Sequence, residues 1–474
     1  MKHLLFLKIQ LTSYDDIDDQ SCRGGNGIME NKNTYIPSKF NALSKTDDGG
    51  VILYNSYTGA IVDFLPEEKE EVMASLKRTG TSELNTEVKK ALFDNGYLVP
   101  GHVDEKKRAQ YLHQSMHRTD MLHLILMTTE QCNFRCTYCY ETFARGKMTD
   151  ETKSGVKALV KERASTLNNL HISWFGGEPL LELGIIEELS NTFMQEAKEN
   201  KIDYSADIVT NGFFLTKEVF EKLLSWEVRQ YMVTIDGVQA VHDSRRHMAG
   251  GQGTFERIVE NLKAIRDVDG QFDMTIRVNF DEDNLRETGE LIQFLKDYFA
   301  DDKRFGLFFR PVGRWGGEHN DEIPTCTHIT ANKKIWEFTE TAMDEGLSMS
   351  NMITGALMPT ASVCYAAKPN AMVIGSDGQL YKCTTVLDEE VNHVGHIHAD
   401  GTMDLDYDKI ASWVMSGEET DSVCQSCFYR PVCQGNHCPW YRVVSGERPC
   451  PSEKKNIKKV LNLVWRNSLQ KETV

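Results

Sequence analysis

Cys132, Cys136 and Cys139 form a C-x3-C-x2-C run directly after the apolar segment 122–127. Cysteine thiolates are soft ligands and the usual holders of iron–sulfur clusters. Three on one tight loop can hold three irons of a four-iron cluster and leave the fourth open. An open coordination position marks a metal site that does chemistry. A zinc knuckle or three unligated thiols are the competing readings. A structural zinc wants a fourth Cys or His, and the thirty residues after Cys139 contain none, so the spacing favours the cluster.

A second cysteine-rich stretch lies far downstream. Seven of the 12 cysteines fall between Cys364 and Cys450: Cys364, Cys383, Cys424, Cys427, Cys433, Cys438 and Cys450. Seven does not divide into four-cysteine zinc sites, but it divides into one closed cluster of four ligands and one of three with an open iron. Cys326 stands alone and reads as an idle or buried thiol.

Composition bounds the rest. A chain of 474 residues is long for one domain, and 40% hydrophobic with 26% charged residues fits a soluble globular protein. A formal net charge of −17 argues against general nucleic-acid binding, which needs a basic face. Disulfide scaffolds are short secreted domains, whereas these cysteines cluster in two regions. The opening residues 1–11 are too short to span a bilayer and lack a cleavage site. The expectation is a reduced, cytoplasmic protein with no membrane contact.

The elements that must position the cysteines can be read in order. Residues 1–33 lack a pattern and read as a disordered extension. Within it the Gly-rich stretch from Cys22 to Gly27 is a weak phosphate-loop match, and Met29 is a second candidate start. Residues 34–100 read as a small domain: strands at 51–54 and 60–64, a helix from Pro66 to Arg78, a helix from Thr86 to Asp94, and a strand at 97–99. Residues 101–118 read as a helical linker. In 119–325 strands at 122–127, 171–174, 206–210, 231–235, 274–279 and 307–310 alternate with helices at 153–163, 185–198, 217–224, 255–265 and 285–299. This alternation predicts an α/β fold with a parallel sheet, and six units predict a partial (β/α)6 barrel with ligands at the C-terminal strand ends. Residues 326–360 read as a bridging helix, 361–455 as a cysteine domain and 456–474 as a C-terminal helix.

The polar stretches fall at those strand ends. Gly176-Gly177-Glu178-Pro179 closes the second strand, where glycines let backbone approach a ligand and Glu178 can accept from a cationic amino group. Thr210-Asn211-Gly212 ends the third and Thr234-Ile235-Asp236-Gly237 the fourth. Asp236 suits ribose hydroxyls or a turn cap. Arg246 offers a guanidinium fork, or is a surface arginine. Arg277 and the stretch from Arg310 to Arg314 follow at later ends, facing substrate or solvent.

The first cysteine loop resembles the signature of the radical S-adenosylmethionine enzymes, C-x3-C-x-(aromatic)-C, which Cys132, Cys136, Tyr138 and Cys139 match residue by residue. The resemblance implies that the open iron binds the amino and carboxylate groups of S-adenosylmethionine. One electron then splits the sulfonium into methionine and a 5'-deoxyadenosyl radical. It further implies that Gly176, Gly177 and Glu178 hold the methionyl amino group and that Thr210, Asn211 and Asp236 line the ribose and methionine. His242-Asp243-Ser244-Arg245-Arg246 resembles an HDxxR segment, which puts Arg246, more than Arg245, on the cofactor carboxylate. The downstream cysteines resemble the SPASM extension of peptide-modifying members, C…G-x4-C, C-x2-C-x5-C-x3-C and C, except that four residues, not three, separate Cys433 from Cys438. That resemblance implies Cys424, Cys427, Cys433 and Cys450 on an outer cluster and Cys364, Cys383 and Cys438 on an inner one with an open iron. The chain would then carry three [4Fe-4S] clusters.

Residues 34–100 resemble the winged-helix modules that recognise leader peptides of ribosomally made natural products by adding the leader as a strand. A winged helix that only packs on the core is the alternative. Together these resemblances imply a thioether-forming maturase, with a precursor peptide as substrate and a low-potential donor such as flavodoxin or ferredoxin. An open inner iron could take a substrate thiolate. A maturase forming carbon–carbon links, or oxidising Cys or Ser to formylglycine, is the alternative. Formylglycine enzymes carry Asp after the cysteine matching Cys383, where this chain has Thr384. An iron–sulfur electron carrier or redox sensor is the alternative from another class. No residue is assigned as general base.

Overall fold

The computed structural model describes residues 34–77, 80–317, 320–419 and 421–472. The expected disordered extension, with the Cys22 stretch and Met29, lies outside these residues. Six parallel strands form the centre: β1 (Met121–Thr129), β2 (Asn169–Gly176), β3 (Asp203–Thr210), β4 (Val228–Thr234), β5 (Asp273–Phe280) and β6 (Phe305–Pro311). They are neighbours in chain order, each paired in parallel with the next. A parallel pair needs a crossover, and helices supply it: Asp150–Arg163, Leu183–Asn200, Lys217–Ser225, Phe255–Arg266 and Thr288–Phe299.

Side-chain period decides which way each strand faces. On β1 to β3 the residues Leu122, Leu124, Leu126, Ile172, Trp174, Ala206 and Ile208 pack into one core with Val156, Val160, Ile186, Leu189 and Phe193 of the helices. Burying each large aliphatic side chain stabilises by about 1.5–3 kcal/mol. Threonine caps start the helices: Thr149 accepts from Thr152 N and Thr216 from Val219 N.

The sheet runs further than six strands. Ser348–Met349 adds in parallel outside β6, and β7 (Ala371–Ile374) adds in parallel outside β1. Then β8 (Gln379–Tyr381), β9 (His393–Ile397) and β10 (Met403–Leu405) continue antiparallel, giving 11 strands in one open sheet. The cysteine-rich C-terminal region is thus hydrogen-bonded to the barrel's first strand. The β1 edge would otherwise present an unpaired ladder.

Residues 34–100 form a three-stranded antiparallel sheet, Asn41–Lys45, Val51–Asn55 and Ile61–Phe64, with helices Lys69–Ser75 and Glu87–Asp94. Tyr35–Pro37 pairs with Leu98–Pro100. The first helix is shorter than expected, and Glu105–Gln114 is the helix of the linker, capped by Asp104. The last helix, Ile457–Glu472, returns to cover one face of the N-terminal sheet, packing Val460, Leu461, Val464 and Trp465 on Ile52, Tyr54 and Ile61. Among the described residues no helix is long and apolar enough to cross a membrane.

Candidate active site

The cysteine loop leaves the C-terminal end of β1 and is held by backbone from two sides. From β2, Gly177 N donates to Thr129 O and Glu178 N to Gln131 O, both at 3.0 Å. The approach is so close that a Cβ on Gly176, which sits at φ +125°, would lie 2.1 Å from Thr129 O, and one on Gly177 2.4 Å from Gln131 O. Glycine is therefore obligatory at both positions. From the other side, Phe134–Cys136 pairs antiparallel with Arg246–Met248, placing Arg246 opposite Cys136. Thr137 N donates to Arg245 O at 2.9 Å and Ala249 N to Asn133 O at 2.8 Å.

Glu178 is fully buried. Its Oε1 accepts from Thr210 Oγ1 at 2.7 Å and Leu180 N at 3.0 Å, and its Oε2 from Asn211 N at 2.7 Å. Burial pushes its pKa up against these bonds, which favour the anion. Glu178, Thr210 and Asn211 are thus one unit joining the ends of β2 and β3. Asn211 Nδ2 also donates to Asn133 Oδ1 at 2.8 Å, reaching the cysteine loop beside Cys132.

Tyr138 is the centre of a second knot. Its hydroxyl donates to Asp236 Oδ2 and accepts from Arg246 Nη1 at 2.8 Å and Asn279 Nδ2 at 3.0 Å. Asn279 N donates to Asp236 Oδ1 at 2.9 Å. Both Asp236 oxygens therefore hold protein groups. The tandem arginines differ. Arg245 makes a bidentate pair with Asp281, at 3.1 and 2.7 Å. Arg246 has no carboxylate ion pair among the described residues; the buried Nε of both arginines lacks a partner. The Arg277 side chain donates from Nε to Thr234 Oγ1 at 3.1 Å and has no ion pair among the described residues. A buried guanidinium is costly unless opposite charge faces it, and Cys136, Tyr138 and Asp236 are the groups in the field of Arg246 that offset this cost.

Burial pushes the thiols of Cys132 and Cys139 up to about 12, and that of Cys136 upward against the field of Arg246. Left alone they would be neutral; metal binding deprotonates them. Downstream, Cys364 is pushed up to about 12 by burial and then by Cys383 and Cys438. Cys433 is pushed up to about 12 by burial and then by Cys424 and Cys427. Lys454, whose burial is outweighed by Cys427 and Cys450, stands 3.5 Å from Cys450 Sγ. Two electrostatic groups result, Cys364–Cys383–Cys438 and Cys424–Cys427–Cys433–Cys450. Among the described residues no three His, Cys, Asp or Glu side chains close on a single metal ion. The donor set, soft thiols within one another's field, fits a multi-iron group. The extra residue before Cys438 is absorbed in a turn where Gln434 and Gly435 take φ +49° and +73°. Cys326 lies with neither group; Glu282 and Asp281 are its charged neighbours.

Sequence reasoning missed Asn279 and Asp281 and the hub role of the Tyr138 hydroxyl. The available signal was the acidic run Asp281–Asp283 followed by Asn284 just past the strand, which points to Asp281 but not to Asn279. A cleft of about 1070 Å³ opens beside the loop, lined by Cys136, Tyr138, Cys139, Arg245, Asp281 and Asn284 among others.

Residues 126–295 match the family model of the radical SAM superfamily. A radical SAM cyclopropyl synthase, TigE, of Paramaledivibacter caminithermalis is 25% identical over 405 residues, covering 74% of this chain and 83% of that protein. A cysteine-type anaerobic sulfatase-maturating enzyme of Clostridium novyi is 23% identical over 337 residues, covering 66% and 86%. Among solved structures, native anSMEcpe with bound AdoMet and Cp18Cys peptide superposes with a TM-score of 0.55 at 17% identity, covering 74% of this chain and 99% of that one.

Proposed function

We propose, for a chain that carries a radical SAM domain, that it modifies a ribosomally made precursor peptide and installs a thioether between a cysteine and an acceptor residue. The observation that carries this reading is the division of the downstream thiols into a set of four and a set of three. Among the described residues no fourth cysteine shares the field that couples Cys364, Cys383 and Cys438, and a group held there would leave room for a substrate thiolate.

The residues divide the work. Cys132, Cys136 and Cys139 would hold the first [4Fe-4S] cluster, and Cys364, Cys383, Cys438 and Cys424, Cys427, Cys433, Cys450 two more. Bound there, the first cluster supplies the electron that cleaves S-adenosylmethionine into methionine and a carbon radical. Arg246 would hold the methionyl carboxylate. Glu178, held by the strand-end hydrogen bonds of Thr210 and Asn211, would face the methionyl amino group. Tyr138 and Asp236 hold each other and Asn279, so that the ribose side of the pocket is rigid. An electron donor such as flavodoxin or ferredoxin, and leader binding on residues 34–100, belong to the same proposal.

The curated relatives named above act on different bonds, so a second reading is kept: oxidation of a substrate Cys, as the sulfatase-maturating relative's name describes for its own target. Against it, Thr384 follows Cys383, and its Oγ1 is 2.8 Å from Tyr365 Oη, so no carboxylate stands there. Anaerobic reconstitution with iron and sulfide, then dithionite, S-adenosylmethionine and a Cys-containing precursor, tests the choice. A loss of two hydrogens that joins two residues, and that disappears in a Cys→Ser precursor, is expected. Equal loss in the Cys→Ser precursor overturns the thioether reading, and no 5'-deoxyadenosine overturns the radical chemistry.

A further inference from the structure

The face of β1–β3 turned away from the helices carries a polar chain that the reaction above does not use. Low on these strands, His123 is paired in register with His171, His171 with Ser205, and Ser173 with Asp207. Barrel interiors are ordinarily filled by branched apolar side chains. A polar chain persists in such a place only if its members satisfy one another, and these do. Ser173 Oγ lies 2.6 Å and His171 Nε2 2.8 Å from Asp207 Oδ1; His123 Nε2 lies 2.9 Å from Ser173 Oγ, and His171 Nδ1 2.8 Å from Ser205 Oγ.

The polarity of the chain follows from its chemistry. A carboxylate only accepts, so Ser173 gives its one proton to Asp207 and must accept from His123 Nε2–H. Neutral His123 then carries its lone pair on Nδ1. The inner end of the chain faces a residue next to one of the trio. Ala371 of β7 is paired with His123 in register, and the ring of Tyr365, next to Cys364, stands edge-on to His123 at 6.2 Å. Tyr365 Oη in turn bonds Thr384, next to Cys383. The outer end meets solvent, since the Asp207 and His171 side chains are 23% and 32% exposed.

We propose that His123 is the general base that takes the proton from a substrate-peptide thiol arriving at Cys364, Cys383 and Cys438, with Ser173 and Asp207 as positioning residues behind it. The S–H bond breaks, its electron pair stays on sulfur, and Nδ1 receives the proton. Nε2–H moves toward Ser173, whose own proton moves to Asp207 and leaves to water. No electron is gained or lost in this step. The charged and titratable groups facing His123 are His171, Asp207, Lys368, Lys382 and Tyr365. Burial first and His171 second lower the His123 pKa to about 3, so the ring is a poor resting place for a proton. The relay to Asp207 is what makes it a usable base.

The inference rests on the trio receiving a thiol, and the experiment separates the two. In protein with ¹⁵N-labelled histidine rings, His123, assigned by loss of its signals in His123→Gln, should show a pyrrole-type Nε2 and a pyridine-type Nδ1, unchanged from pH 8 to pH 5. The opposite tautomer, or an imidazolium in that range, overturns the relay whatever the substrate is. In reconstituted enzyme with a Cys-containing precursor, His123→Gln should lower cross-linked product per 5'-deoxyadenosine by about a hundredfold. The remaining rate should rise with pH where the wild type is flat, and imidazole should restore His123→Ala. A His123→Gln enzyme with wild-type coupling and a flat profile overturns the base. A wild-type enzyme that modifies a Cys→Ser precursor equally well overturns the thiol reading instead, and the base falls with it.

Discussion

Two neighbouring arginines carry the clearest contrast at the scale of single residues. Arg245 spends its fork on Asp281 and so ties the cysteine-loop segment to the end of β5. Arg246, opposite Cys136, has no carboxylate ion pair among the described residues and bonds the Tyr138 hydroxyl instead. A charge-assisted hydrogen bond is worth about 1.5–3 kcal/mol. Arg246→Gln is therefore expected to weaken S-adenosylmethionine binding by about 10- to 100-fold, read by equilibrium dialysis on reconstituted protein. Arg246→Lys should recover only part of it, because a point charge does not replace a planar fork. Unchanged affinity in Arg246→Gln would remove this residue from the pocket. Glu178 makes the complementary case. Its two oxygens accept three donors. Glu178→Gln must turn an amide N–H₂ toward a donor, leaving buried groups unsatisfied at about 1–3 kcal/mol. The expected readout is a lower melting temperature even without cosubstrate, and a variant as stable as the wild type would show that the carboxylate is not a structural joint.

Among the elements, the decisive contact is the crossing of the β2 end over the start of the cysteine loop. Gly177→Ala places a methyl 2.4 Å from Gln131 O and 2.8 Å from Glu130 O, both main-chain atoms that cannot swing aside. The loop must shift, and the variant should reconstitute with less iron than wild type. Gly184→Ala, where nothing lies within 4 Å, is the control. Equal iron in both would show that the crossing is not needed. This contact also marks what a linear reading can reach. The strands β1–β6 were legible because apolar residues recur along them, at every second position in β2 and β3, with turn residues at their ends, and the helices because their apolar period is 3.6. The G-G-E-P stretch was legible as a motif, but its reason was not, since the backbone it must avoid belongs to residues 129–131. Asn41–Lys45 escaped notice because N-A-L-S-K has no alternation of its own and is a strand only through Val51–Asn55. Asn279 escaped because one Asn at a strand end carries no pattern; it matters through Tyr138, 141 residues away. The C-terminal strand β7 was not expected to join β1, because register between segments so far apart leaves no local trace.

Across the whole molecule the chain closes on itself. The N-terminal sheet has two covered faces: Val51, Leu53, Val62 and Phe64 against its own helices, and Ile52, Tyr54 and Ile61 against the C-terminal helix. Leu461 is fully buried in that second contact. Leu461→Ala should cost about 2–5 kcal/mol and raise hydrogen exchange in residues 51–64, which a helix that merely rests on the surface would not do. With both faces taken, only an edge is left for a further chain. Val51–Asn55 is central, and among the described residues Ile61–Phe64 pairs on one side only. Asn55 N donates to Ala60 O, which fixes the alternation: Val62 and Phe64 turn their N–H groups inward, and Ile61 and Asp63 turn theirs outward. If the leader adds here as a strand, the outward amide of Asp63 is one of its anchors. Proline removes that amide and is tolerated on an edge strand. Asp63→Pro should therefore weaken binding of a fluorescent leader peptide by at least about tenfold, one lost hydrogen bond or more. Asp63→Asn, which keeps the amide and differs only in the side chain that meets Trp465 Nε1 at 3.3 Å, should bind as wild type does. Equal binding by both would place the leader elsewhere. Weak binding by both would assign the effect to the Trp465 contact, and so to the seating of the N-terminal sheet on the C-terminal helix rather than to an added strand.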